Sequence, residues 1–242
     1  MFVKICGITN EDDALLAVAL GADALGFIFA PSRRQVNAET VRDIVKRVPR
    51  EVLTVGVFRN DTPAHVVDIA ARTGLHAVQL SGSEPNSEVQ WIRERVRFVI
   101  QAFAAGDPAL GAAANSPADV IMVDSPDPGS GRVFDWRLAE GAPSGVRILL
   151  AGGLTPHNVG DAIKLVRPWG VDVASGVEVA PGRKDPRKLR LFIEAARAAG
   201  AELNAPALDL RGIESFDAEP LESREVRQVA GDGRPFDWQV DE

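Results

Sequence analysis

Short apolar runs rich in valine, isoleucine and leucine recur along the chain, separated by longer segments in which apolar residues return every three or four positions. The runs are Phe2 to Cys6, Ala24 to Phe29, Val52 to Phe58, Ala77 to Leu80, Arg97 to Ala102, Asp119 to Asp124, Val146 to Ala151 and Val171 to Ser175. Runs of this length with β-branched residues read as buried strands, and the helical period between them reads as amphipathic helix. Helices are predicted over Asp12 to Leu20, Glu39 to Val48, Pro63 to Thr73, Ser87 to Arg95, Pro156 to Val166 and Asp185 to Ala199. Strand and helix alternating through eight units predict a parallel sheet closed into a single (β/α)8 TIM barrel over residues 1–200. An open doubly wound sheet is the competing architecture, but it requires a glycine-rich dinucleotide turn after the first strand, and none stands there. Gly21-Ala22-Asp23 and Gly170-Val171-Asp172 are expected to end a helix and launch the next strand, with glycine as the helix cap.

The chain's 242 residues suit one barrel, and a single cysteine excludes a disulfide framework. No leader-like segment opens the sequence and no apolar run approaches a membrane span, so a cytoplasmic protein is expected. The formal charge of −7 is unevenly spread. Residues 201–242 carry 11 acidic and 4 basic side chains, leaving the first 200 residues neutral. An acidic C-terminal extension is therefore expected over residues 201–242, packed through apolar groups such as Phe236 and Trp238 on the barrel or on a partner copy. Nothing in the charge pattern favours nucleic acid, and no membrane partner is expected. The three histidines, His65, His76 and His157, lack ligand spacing, so no metal is expected.

A barrel of this class carries its chemistry at the C-terminal ends of its strands. Those ends hold Cys6, then Ser32-Arg33-Arg34 beyond strand two, Gln79-Leu80-Ser81-Gly82, Asp124-Ser125, Ala151-Gly152-Gly153-Leu154 and Ser175-Gly176-Val177-Glu178. Glycine-rich turns after strands seven and eight leave backbone N–H groups for an anion, which points to a phosphorylated small-molecule substrate held by Gly152, Gly153, Ser175 and Gly176.

Val3-Lys4-Ile5-Cys6-Gly7-Ile8-Thr9, Gly26-Phe27-Ile28-Phe29, Val55-Gly56-Val57-Phe58, Gly131-Arg132-Val133-Phe134-Asp135-Trp136, Ala151-Gly152-Gly153-Leu154 and Val171-Asp172-Val173-Ala174-Ser175-Gly176-Val177-Glu178 together resemble the phosphoribosylanthranilate isomerase family of tryptophan biosynthesis. The resemblance covers roughly residues 2–200. It implies a cofactor-free Amadori rearrangement of an aminoaldose phosphate to an aminoketose phosphate, in a monomer or homodimer. By resemblance Asp124 is the general acid that opens the furanose ring and Cys6 the general base that removes the C2 proton. A carboxyl must be kept protonated for the first task, and a thiol must be ionised for the second. Arg34 is implied as the anthranilate carboxylate partner, with Arg33 beside it a surface charge. Asp172 is a substrate-binding candidate for the amino group, although an interior pair with Lys4 competes for it. Lys4 shares the side-chain parity of Cys6 and is read as structural.

The segment 126–132 has glycines on both sides of a serine and is expected to form a lid. Two positions depart from the family pattern: Ser81 and Ser83 stand where histidine and aspartate are expected. A related or bifunctional aminoaldose isomerase of histidine biosynthesis is an alternative, as is a non-catalytic phosphosugar-binding barrel. The first is expected to carry aspartate in place of Cys6, and the second to have lost Cys6 or Asp124.

Overall fold

A computed structural model of the chain describes residues 1–125, 136 and 145–203. The segments expected to form a lid and a C-terminal extension lie outside the described residues, apart from the start of the extension at 201–203.

The eight strands close into a barrel in chain order. They are β1 (Phe2–Cys6), β2 (Ala24–Ile28), β3 (Leu53–Phe58), β4 (Ala77–Leu80), β5 (Val99–Ala104), β6 (Val120–Asp124), β7 (Ile148–Leu150) and β8 (Gly170–Val173). Each pairs in parallel with its neighbours, and β8 returns to β1 with Lys4 opposite Asp172. Because strand side chains alternate between faces, each strand supplies two cores. Phe2, Ala24, Leu53, Val55, Ala77, Ile100, Val120, Met122 and Leu149 fill the barrel interior, while Val3, Ile5, Leu25, Phe27, Val171 and Val173 turn outward to pack under helices.

The helices are α1 (Glu11–Ala19), α2 (Ala38–Val45), α3 (Pro63–Thr73), α4 (Asn86–Arg93), α5 (Val159–Val166) and α6 (Pro186–Glu202). Their starts follow local sequence: the side chains of Asn10, Asn37, Thr62 and Asp185 accept hydrogen bonds from first-turn N–H groups of α1, α2, α3 and α6. No described helix is long and apolar enough to cross a membrane.

The structure departs from the predicted alternation in three places. The unit after β5 carries a 3-10 helix, Pro108–Asn115, rather than an α-helix. Its buried residues are Leu110 and Ala113, three apart, the spacing that stacks side chains on one face at three residues per turn. Gly170 is no helix cap: α5 ends on Arg167 in the left-handed region, and Gly170 lies within β8. A Cβ there would stand 2.9 Å from Phe2, so the glycine serves strand packing. Beyond β8 the chain makes a three-residue 3-10 helix, Ser175–Val177, and then a small antiparallel hairpin of β9 (Glu178–Ala180) and β10 (Arg183–Lys184) that the periodicity did not announce.

Candidate active site

Cys6 and Asp124 are the last residues of β1 and β6, on the inward parity of their strands at the C-terminal mouth. In strand pairing Cys6 stands opposite Gly26. A Cβ at Gly26 would lie 2.7 Å from Cys6 Sγ and 3.0 Å from Lys4 Nζ, so this glycine makes room for both side chains. One layer below Cys6, the fully buried Lys4 donates to Asp172 Oδ1 at 2.7 Å. Thus the interior pair that competed for Asp172 is present. Its second oxygen has no hydrogen-bond partner among the described residues.

These charges act on both proton-transfer candidates. Burial pushes the Cys6 thiol above its ordinary value, and the Lys4 ammonium opposes that rise more strongly than the Asp172 carboxylate adds to it. Burial also lifts the Asp124 carboxyl from 3.8 to about 6, against a hydrogen bond from the Ser125 N–H to Oδ1 at 2.7 Å. Asp172 pushes in the same direction as burial and Lys4 against it. Lys4 itself is held above its ordinary value: burial alone would lower it, but Asp172 and Cys6 outweigh burial. Cys6 and Asp124, on strands not adjacent in the barrel, therefore share one electrostatic centre, the Lys4–Asp172 pair.

In the loop after β2 the two neighbouring arginines are placed differently. Arg33 is exposed, whereas Arg34 folds inward, its N–H donating to Ser32 Oγ at 3.1 Å. The Arg34 guanidinium grips Glu178 through Nε (2.9 and 3.1 Å) and Nη2 (2.7 Å). Among the described residues two of its N–H groups are engaged, which leaves three on the Nη1 and Nη2 edge.

Glu178 and Lys184 are the site neighbours whose roles sequence reasoning missed. Lys184 is buried, and its ammonium donates to Glu178 Oε1 (2.9 Å), to the carbonyl oxygen of Cys6 (2.5 Å) and to that of Ala174 (3.3 Å). Burial would raise Glu178, yet its bonds from Arg34 and the charge of Lys184 hold it below the usual carboxylate range. This network ties the ends of β1 and β8 to the hairpin and to the arginine loop. Glu178 closed a motif with a visible signal, but Gly182-Arg183-Lys184-Asp185 reads as an ordinary polar turn.

After β7, Gly152 and Gly153 both take positive φ, +88° and +66°. Asn158 pins that turn: its Nδ2 donates to Gly153 O at 3.1 Å and its Oδ1 accepts from Thr155 N at 2.7 Å. Gly176 presses on the same turn, since a Cβ there would come within 1.9 Å of the Leu154 carbonyl oxygen. The four residues assigned to phosphate thus belong to two turns in direct contact. The N–H groups of Ser175 and Gly176 open the short 3-10 helix and lack a partner within it; its first internal bond is from Val177 N to Ala174 O.

The two serines that depart from the family pattern have defined contacts. Ser81 Oγ accepts from Gln79 Nε2 at 2.9 Å, and the Ser83 N–H donates to Asn60 Oδ1 at 2.8 Å. Glu84 completes the loop by accepting from the N–H groups of Asn60 and Gly82.

Comparison with known proteins follows the same outline. The family model described as N-(5′-phosphoribosyl)anthranilate (PRA) isomerase matches residues 3–195. A relative from Desulforudis audaxviator, named N-(5′-phosphoribosyl)anthranilate isomerase, is 49% identical over 204 residues, covering 81% of this chain and 98% of its own. The phosphoribosyl anthranilate isomerase of Thermus thermophilus superposes with a TM-score of 0.78 at 40% identity, over 82% of this chain and 99% of that one. Another isomerase structure, at TM-score 0.73 and 40% identity over 82% and 99% of the two chains, holds reduced 1-(O-carboxyphenylamino)-1-deoxyribulose 5-phosphate.

Proposed function

The chain belongs to the N-(5′-phosphoribosyl)anthranilate isomerase family, and from that premise we propose how its own residues carry out the reaction. The chain isomerises N-(5′-phosphoribosyl)anthranilate to 1-(2-carboxyphenylamino)-1-deoxyribulose 5-phosphate, a step of tryptophan biosynthesis. The observation that carries the residue assignment is that Cys6 and Asp124 end their strands at one mouth around a single buried ion pair, with the Asp124 carboxyl raised to about 6.

Asp124 donates its proton to the furanose ring oxygen. The bond from that oxygen to C1 breaks, and the anthranilate nitrogen supplies the electron pair that makes C1–N an iminium. Cys6, as thiolate, then takes the proton from C2, and the C–H electrons become the C1–C2 double bond of an enol amine. Proton return to C1 and loss of the enol proton give the C2 ketone. Atoms balance without a redox partner, as an isomerisation requires. At pH 7 a carboxyl of pKa about 6 is protonated in roughly one molecule in ten, against about one in 1,500 at the ordinary 3.8, so burial raises the acid form about a hundredfold.

Substrate binding is assigned to the remaining groups. Arg34 presents its free guanidinium edge to the anthranilate carboxylate, already oriented from behind by Glu178. The open oxygen of Asp172 accepts from the substrate amine. Gly152, Gly153, Ser175 and Gly176 hold the phosphate through backbone N–H groups. One chain carries both proton-transfer residues, which suits either a monomer or a homodimer. The test is continuous: purified protein is given N-(5′-phosphoribosyl)anthranilate and its fluorescence is followed. Cys6→Ser and Asp124→Asn are each expected to lose turnover, and near-normal turnover in either variant removes that residue from the mechanism.

A further inference from the structure

Lysine is an unusual occupant of a barrel interior, which is ordinarily filled by branched apolar side chains. Lys4 is nevertheless fully buried there, between Phe2 and Cys6 on the inward face of β1. Its ammonium has one hydrogen-bonded anion, Asp172 Oδ1 at 2.7 Å. Lys4 Nζ and Cys6 Sγ also share the space that Gly26 leaves open, at 3.0 and 2.7 Å from where a Cβ would stand. A buried pair of this kind is often no more stabilising than apolar residues of the same volume. Stability alone therefore gives weak reason to keep it beneath the one cysteine.

We propose that Lys4 is a positioning residue of the reaction, its buried ammonium, set beside both Asp172 and the Cys6 sulfur, offsetting part of the cost of burying the charged form of that sulfur, the form that takes a proton. This rests on the base role assigned to Cys6 under Proposed function. Five charged or titratable groups act in this centre. Lys4 and Lys184 favour the thiolate, and Asp172 opposes it. Arg34 couples to Cys6 from the β2 loop, and Asp124 reaches it through the shared Lys4–Asp172 pair. Lys184 is already committed to Glu178 and to two backbone carbonyls, including that of Cys6. Lys4 is the cation that shares the space at Gly26 with the sulfur, and its effect on Cys6 is larger than that of Asp172 or Lys184.

The chain has one cysteine and no tyrosine, so the ultraviolet absorbance of the thiolate titrates a single group without tyrosinate beneath it. The experiment compares wild type, Lys4→Met and Lys4→Met/Asp172→Asn; the double variant leaves no unpaired charge and keeps the test open if the single variant does not fold. Removing a neighbouring charge moves a titration by about 1–3 pH units. The Cys6 midpoint is expected to rise by that amount in Lys4→Met and by less, in the same direction, in the double variant. Each unit lowers the thiolate fraction, and with it the rate of alkylation by iodoacetamide, about tenfold below the midpoint. The rising limb of kcat/KM against pH should move with the absorbance midpoint wherever activity remains. A midpoint that stays put or falls in the folded variants overturns the role of Lys4, even if Cys6→Ser is inactive. A midpoint that rises while the kcat/KM limb stays put instead overturns Cys6 as the base, and the proposal falls with it.

Discussion

Asp124→Asn separates catalytic cost from structural benefit in one substitution. The carboxyl is raised from 3.8 to about 6, chiefly by burial, which makes its ionised form costly to the folded state. Because the folded value lies above the unfolded one, the native state binds this proton more tightly. The group's cost is therefore absent well below 3.8, grows as pH rises through the window up to about 6, and is complete above it. The rise from 3.8 to about 6 corresponds to a cost of about 3 kcal/mol at pH 8, and about half of that remains at pH 5. Asparagine is neutral at every pH, nearly the same size, and keeps an oxygen to accept the Ser125 N–H. Allowing for solvent at the open mouth, Asp124→Asn should stabilise the protein by about 1–3 kcal/mol at pH 8 and by very little near pH 4. At this chain length that gain raises Tm by about 2–10 °C. Turnover should meanwhile fall by roughly 10²- to 10⁴-fold, the usual contribution of a placed general acid. Thermal unfolding of both proteins from pH 4 to 8, with turnover measured at pH 7, decides the matter. A variant less stable than wild type at pH 8, or a stability difference that does not grow with pH, refutes the electrostatic reasoning about Asp124.

Cys6→Ser replaces a thiol by a far weaker acid of similar volume and should lower turnover roughly 10²- to 10⁴-fold with little change in Tm; a change of several degrees would mean the sulfur mainly fills space. Arg34→Ala should raise KM by about 10- to 100-fold, the loss of a charge-assisted carboxylate contact of about 1.5–3 kcal/mol, with a smaller fall in kcat. A kcat defect larger than the KM defect would place Arg34 at the proton transfers. Truncation after Leu203 should leave a folded, active barrel of near-neutral charge, because all eight strands and α6 precede the cut; failure to fold or to turn over substrate would assign residues 204–242 to the barrel or its active site.

Strand order, barrel closure, the strand-end placement of Cys6, Asp124 and Gly152 and the location of Asp172 on strand eight were legible from the sequence, since each follows from a two-residue side-chain period and from regular alternation of strands and helices. Helix starts were legible for the same local reason: a capping side chain such as Asn37 or Asp185 acts within three residues of itself. The unit after β5 was not legible in this form: the eightfold alternation predicts a helix there, but Pro108 to Asn115 folds at three residues per turn instead. The sequence offered the Lys4–Asp172 pair only as one of two readings for Asp172 and held no signal for the contacts of Lys184, because both join residues far apart in the chain. Lys4 and Asp172 are 168 residues apart, and Lys184 is 178 residues from the Cys6 carbonyl to which it donates. Their pairing depends on β8 closing against β1 and on the β9–β10 hairpin bringing Lys184 to the end of β1. The carboxyl strength of Asp124 belongs to the same category: residue identity specifies an ordinary acid, and burial at the barrel mouth, which only the fold creates, lifts it to about 6.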